Sequence, residues 1–131
     1  MDCLFVYGTL RPSFDHPMSE FLQNHSILVG SGSYQGKLFH VEDYPGVIPS
    51  YSKDDLVIGE VFKLKQPELI LPKLDEYEAY YPELDKDSSI FVRTLATIHM
   101  NNNTSLDAWV YLYNRPTTSL KIIENGDYLN H

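Results

Sequence analysis

The acidic residues most able to do chemistry lie in LPKLDEYEAYYPELD, residues 71–85. Most of the carboxylates here and just beyond, Asp75, Glu76, Glu83, Asp85 and Asp87, read as ordinary solvated charges. Glu78 differs by phase. If the segment is helical, Leu74 and Glu78 are four residues apart and share a face, whereas Glu76 projects away from it. The leucine belongs inside, so Glu78 should point inward too. A carboxylate among Leu and Tyr is costly unless it is hydrogen-bonded or functional, and its raised proton affinity suits a general base. The same phase is also met if Glu78 ends on a rim and pairs with Arg93 or Lys73.

A second stretch, FVYGTLRP at residues 5–12, starts as a strand and breaks at Tyr7-Gly8-Thr9. A small, bendable turn there is either a plain hairpin corner or a place where backbone N–H groups face a ligand. Gly8 would then be needed for a positive φ or for close approach.

Other chemistries lack their residues. Cys3, Thr9 and five histidines supply nucleophiles and bases in principle, but no G-x-S-x-G elbow is present. His16, His25, His40, His99 and His131 form no H-x-x-x-H pair or Cys/His knuckle, so no metal site is expected. Neither G-x-G-x-x-G nor a P-loop lysine occurs. Nucleotide binding therefore has no motif behind it.

The elements that must position these residues are mostly strands. Residues 4–10 read as a first strand ending at Gly8. Residues 16–25, HPMSEFLQNH, read as a short helix with Pro17 near its start and Met18, Phe21 and Leu22 on one side. Residues 26–41 read as one or two strands bent at Gly30, Gly32 and Gly36. EDYPGVIPS, 42–50, reads as a turn-rich loop, and 55–64 as a strand with a central Gly59. The segment 67–80 fits a helix that Pro67 can open and Pro72 should break. Residues 88–100 and 106–114 form a hairpin around NNNTS. The tail SLKIIENGDYLNH is open between a short strand and a capping segment. The segments between strands are too short for regular crossover helices, so the fold class expected is α+β, a small, strongly bent sheet or partial barrel.

Bulk properties agree with one domain spanning residues 1–131. The single cysteine rules out an intramolecular disulfide framework. Ten basic against 18 acidic residues give a net charge of −8, with no Lys/Arg cluster, so nucleic acid is a poor partner. No apolar run approaches the roughly 18 residues of a membrane span. MDCLFVYG carries an acid where a secretory signal carries positive charge. A cytoplasmic protein without membrane or nucleic-acid partners is expected.

VYGTLRP, His16-Pro17, YPG at 44–46, IGEVFKL at 58–64, LPKLDEYE at 71–78, FVR at 91–93 and WVYLY at 109–113 occur in that order. Together they resemble the γ-glutamylcyclotransferase-like superfamily, particularly its small bacterial and plant-type, avirulence-induced-gene-like members. The resemblance implies a mixed barrel of about six strands and a pocket between the YGTL loop and a glutamate. It also implies a reaction in which the α-amine of a γ-glutamyl group attacks its own γ-carbonyl. Products would be 5-oxoproline and a free amine or amino acid. The family's glutamate falls on Glu78, and its loop on Tyr7, Gly8, Thr9 and Leu10. The nucleophile would come from the substrate, which suits a chain without metal or cofactor motifs.

Some positions depart from the family pattern. Its Tyr-x-Arg reads Phe91-x-Arg93 here, so a phenol that holds substrate would have to come from Tyr113 or Tyr80. Arg93 is expected to buttress Glu78 or the barrel. Ala79 stands where family members often carry Gly. Gly126-Asp127-Tyr128 replaces Gly-Asp-Trp and should cover one end of the barrel. The leaving group is open, since γ-glutamyl amines and peptides share the recognised half. The alternative is a non-catalytic member of the fold that binds a small ligand or a protein.

Overall fold

A computed structural model describes all residues, Met1–His131. Its elements are β1 (Cys3–Val6), α1 (Pro17–Asn24), β2 (Ser26–His40), β3 (Pro45–Pro49), β4 (Leu56–Leu64), α2 (Pro67–Tyr77), β5 (Phe91–Met100), β6 (Ser105–Tyr113) and β7 (Lys121–Ile122). One 3₁₀ turn, Lys86–Ser88, precedes β5. No helix is long and apolar enough to cross a membrane.

Five strands close into a barrel in the order β2-β4-β1-β6-β5, with β5 returning to β2. The β1–β6 pairing is parallel and the others antiparallel, so the barrel is mixed. Closure rests on two pairs, Gly32 with Met100 and Ser33 with His99. A Cβ on Gly32 would lie 2.8 Å from the His99 carbonyl oxygen, so only glycine lets the two strands meet.

Residues 26–40 form one strand, not two. It pairs with β4 through its first two-thirds, with a bulge between Leu28 and Gly30, then bends to pair with β3 and β7. The stretch 42–50 is not all loop. Pro45–Pro49 is a strand paired with β2, and its prolines sit at the two ends, where a missing N–H costs the ladder least. Pro72 does not break α2, which runs through it to Tyr77. Only the bond from residue 72 to the Glu68 carbonyl is forfeited, and both of those residues are exposed to water.

Alternation along β1 builds two apolar layers. Phe5 points into the barrel with Leu38, Val57, Val61, Ile98 and Val110. Leu4 and Val6 point outward to meet Leu22 of α1 and Ile70, Leu71 and Leu74 of α2. The tail after β6 covers part of the barrel: Ile123 joins its core, and the Gly126 carbonyl accepts from the Ile58 N–H at 2.8 Å.

Candidate active site

The seam between the two layers opens into a cavity of about 400 Å³. The segment after β1 forms one wall, and the end of α2 forms another. Tyr7, Gly8, Thr9, Leu10, Tyr44, Tyr77, Glu78 and Tyr111 are among its lining residues.

The first wall is a tight turn in which the Arg11 N–H donates to the Gly8 carbonyl at 3.0 Å. The N–H groups of Tyr7, Gly8, Thr9 and Leu10 donate to no acceptor in the protein, although three of these four residues are buried. Buried N–H groups are nearly always paired, so donors left over beside a cavity are suited to an anion or a carbonyl oxygen. Gly8 does not have a left-handed φ. Its constraint is Pro45, whose Cγ would lie 2.6 Å from an added Cβ.

Arg11 holds this turn in place. It is buried, donates to both Glu60 oxygens at 2.9 and 2.8 Å, and reaches Asp127 Oδ1 at 2.8 Å. Its carbonyl accepts from the Ser19 hydroxyl at 2.7 Å, tying the turn to α1 as well. The tail thus braces the loop through Asp127, while Tyr128 stacks on Phe14 and donates to the Asp43 carbonyl. Neither Arg11 nor Asp127 stands out in the sequence as part of this support.

The second wall is the C-terminus of α2. Glu78 caps the helix, and the chain then turns through Ala79 at φ 54°. The Tyr80 N–H donates to the Asp75 carbonyl, and the Ala79 N–H to the Glu76 carbonyl. This is a Schellman motif with a left-handed residue after the cap, and it accounts for the preference for Gly at that position. The turn leaves Glu78 facing the cavity and Glu76 exposed.

The Glu78 carboxylate has no hydrogen-bond donor and no ion-pair partner in the protein. Arg93 instead pairs with Asp75, and Lys73 lies over the Phe21 ring. Burial pushes the Glu78 carboxyl up to about 8, with the Asp75 charge adding to the effect. Around it stand phenols. Burial first, then the Glu78 charge, raises Tyr7, and burial leads the rise of Tyr44 and Tyr77 as well. The Tyr7 hydroxyl donates to the Tyr111 carbonyl at 2.6 Å, and the Thr9 and Tyr77 hydroxyls lie 2.8 Å apart, joining the two walls.

Asp75 is not a solvated charge. It is 9% exposed, accepts from the Tyr111 hydroxyl at 2.7 Å, and is gripped by Arg93 through Nε at 2.8 Å and Nη2 at 3.2 Å. The signal for it was available: Asp75 lies four residues after the buried Leu71. Arg93 packs over the Trp109 ring at 4.4 Å, so it buttresses the barrel and the end of α2 rather than Glu78 directly. Tyr113 is not among the lining residues; it packs edge-on against Phe91 and over Gly46. Tyr111, two residues earlier on the same strand face, lines the cavity instead.

The family model for γ-glutamyl cyclotransferase, AIG2-like proteins matches residues 4–130. The chain belongs to this family. The γ-glutamylcyclotransferase family protein YtfP of Escherichia coli K12 is 29% identical over 127 residues, which is 97% of this chain and 96% of that protein. The fold matches the mouse AIG2-like protein with a TM-score of 0.70 at 20% identity, covering 95% of this chain and 86% of that one. It also matches YkqA of Bacillus subtilis with a TM-score of 0.73 at 22% identity. That match covers 99% of this chain but 40% of YkqA, so this family member spans less than half the length of that relative.

Proposed function

We propose that the protein is a γ-glutamyl cyclotransferase that converts a small γ-glutamyl amine or peptide to 5-oxoproline and the free amine. The observation that carries this reading is the pairing across one cavity of an unpartnered, desolvated carboxylate with a run of unpartnered N–H groups. Family membership and a structural likeness to a protein described as a γ-glutamyl cyclotransferase, at a TM-score of 0.60 and 15% identity, support it.

In this reading the substrate's ammonium gives a proton to Glu78, and the freed amine attacks the γ-carbonyl carbon. The carbonyl oxygen becomes an oxyanion that N–H groups of the 7–10 turn receive; donors fixed in advance are effective because they need no reorganisation. Collapse of the tetrahedral intermediate breaks the bond to the leaving nitrogen, which takes the proton back from Glu78. The ring nitrogen gives its second proton to the departing amine, so that a neutral lactam and an ammonium result. A carboxyl titrating near 8 is well matched to both transfers around neutral pH. Because the base must be unprotonated, kcat/KM should rise with pH and level off above about 8. An acid limb more than two units lower would separate the rate from Glu78.

The direct test is a screen for 5-oxoproline over a panel of γ-glutamyl amines, γ-glutamyl amino acids and γ-glutamyl peptides. Release from at least one class is expected. Binding without any 5-oxoproline would make the protein a non-catalytic binder, and release of free glutamate would make it an amidase.

A further inference from the structure

Glu78 has a second carboxylate as its neighbour on the same helix end, and the proposed reaction makes no use of it. Asp75 is buried, three residues before Glu78, and is not itself among the cavity-lining residues, although it accepts from the hydroxyl of one of them, Tyr111. Both carboxylates sit at the C-terminus of α2, where the carbonyl ends of the helix disfavour negative charge. Asp75 is compensated there by two donors on Oδ1, the Tyr111 hydroxyl and Arg93 Nε, and by Arg93 Nη2 on Oδ2. Glu78 has no such partner.

We propose that Asp75, fixed by Arg93 and Tyr111, is a positioning residue that governs when Glu78 holds a proton. The inference rests on Glu78 being the base in the reaction proposed above, but its test does not depend on turnover. A pair needed only to join α2 to the barrel would serve anywhere along the helix. This one lies within a single turn of the cavity carboxylate, and its acceptor also binds the residue whose carbonyl receives the Tyr7 hydroxyl. The groups around Glu78 are Asp75 and Tyr77 from α2, Tyr7 after β1, Tyr44 before β3, and Tyr111 from β6, with Arg93 of β5 behind Asp75. Asp43 and His16 line the same cavity. The phenols are uncharged at neutral pH, each held above its ordinary range mainly by burial. Behind burial, which weighs most, the Asp75 charge bears on Glu78 and acts in the direction that keeps the proton on.

Removing that charge should release the proton earlier. In the full-length protein, the Glu78 side-chain carboxyl is followed by carbon-13 NMR across pH in wild type, Asp75→Asn and the control Glu76→Gln. Asp75→Asn should lower the Glu78 midpoint by about one pH unit, a tenfold change in proton affinity. Glu76→Gln, nearer in sequence but exposed, should leave it in place. If 5-oxoproline is formed, the acid limb of kcat/KM should move with the midpoint. A folded Asp75→Asn protein with an unmoved midpoint overturns the proposal, and so does an equal shift in Glu76→Gln. Should Asp75→Asn fail to fold, the double variant Asp75→Asn/Arg93→Gln decides the question, since it puts a neutral pair in place of the ion pair. The Glu78 midpoint should still fall, and a rise or no change overturns the proposal. The NMR midpoint answers even in a protein that forms no 5-oxoproline, so loss of the cyclotransferase reading and loss of this one are separate results.

Discussion

Two arginines hold the two walls of the cavity, one behind each, in different settings. Arg11 gathers Glu60 from β4 and Asp127 from the tail, so one guanidinium is shared between two carboxylates. What this wall offers the cavity is main chain. Arg93 takes a single carboxylate, Asp75, which keeps a second donor in Tyr111. What that wall offers is a titrating carboxyl, the neighbouring Glu78. The lesson is that the strength of an ion pair does not decide its role. The Arg11 cluster shapes a backbone and should be read out as stability. The Arg93 cluster lies beside a titrating group and should be read out as a change in pH dependence.

The comparison breaks most readily at the arginines themselves. Arg11→Met leaves two partly buried carboxylates without their cation and should cost about 3–5 kcal/mol in urea denaturation. Arg93→Met should cost distinctly less, because Asp75 keeps the Tyr111 hydroxyl and Arg93 is the more exposed guanidinium, at 19% against 8%. A larger loss in Arg93→Met would reverse the assignment of roles.

The backbone wall can be tested apart from its clamp. Gly8→Ala drives a methyl into the Pro45 ring, so the turn must shift or Pro45 must yield, at a cost of about 1–3 kcal/mol in strain. Turnover should fall at least about tenfold even where the variant still melts cooperatively, since about 1.4 kcal/mol of misplacement is already tenfold in rate. Wild-type turnover in a folded Gly8→Ala protein would return the segment to a plain corner.

The helix-end wall gives the smallest effect. Ala79 occupies the left-handed region at φ 54°, which costs a non-glycine residue about 1–2 kcal/mol. Part of that is recovered in the unfolded state, where alanine is less free than glycine. Ala79→Gly should therefore raise stability by about 0.5–1 kcal/mol with the pH profile unchanged. A destabilised variant would show that the cap is not strained.

How far these walls were legible in the sequence follows from which distances are local. Helical phase places Glu78 on the inner face from Leu74 alone, and the glycines at 30, 32 and 36 mark a bent β2. Pro45 and Pro49 hide β3, because proline speaks against a strand until one knows that both lie at its ends. Pro72 misleads in the same way, since a helix anchored by buried Ile70, Leu71 and Leu74 can forgo one exposed bond. Asp75 shares the face of Leu71, yet its partners Arg93 and Tyr111 come from other strands and cannot be read from spacing. Alternation puts Tyr111 and Tyr113 on one face without saying how far along it the cavity lies. The Arg11–Asp127 contact joins residues at opposite ends of the chain, which only the fold brings together.

The central claim is that Glu78, and not a neighbouring acid, moves the proton in a cyclisation. Its most direct test is 5-oxoproline formation by Glu78→Gln beside Glu76→Gln, on whichever γ-glutamyl compound the wild type turns over. Glutamine keeps the size of the side chain and removes the base, so Glu78→Gln should fold, bind substrate and lose about 10²–10⁴ in rate. Glu76→Gln should match the wild type. Full 5-oxoproline formation by Glu78→Gln, or its loss in Glu76→Gln, would contradict the account.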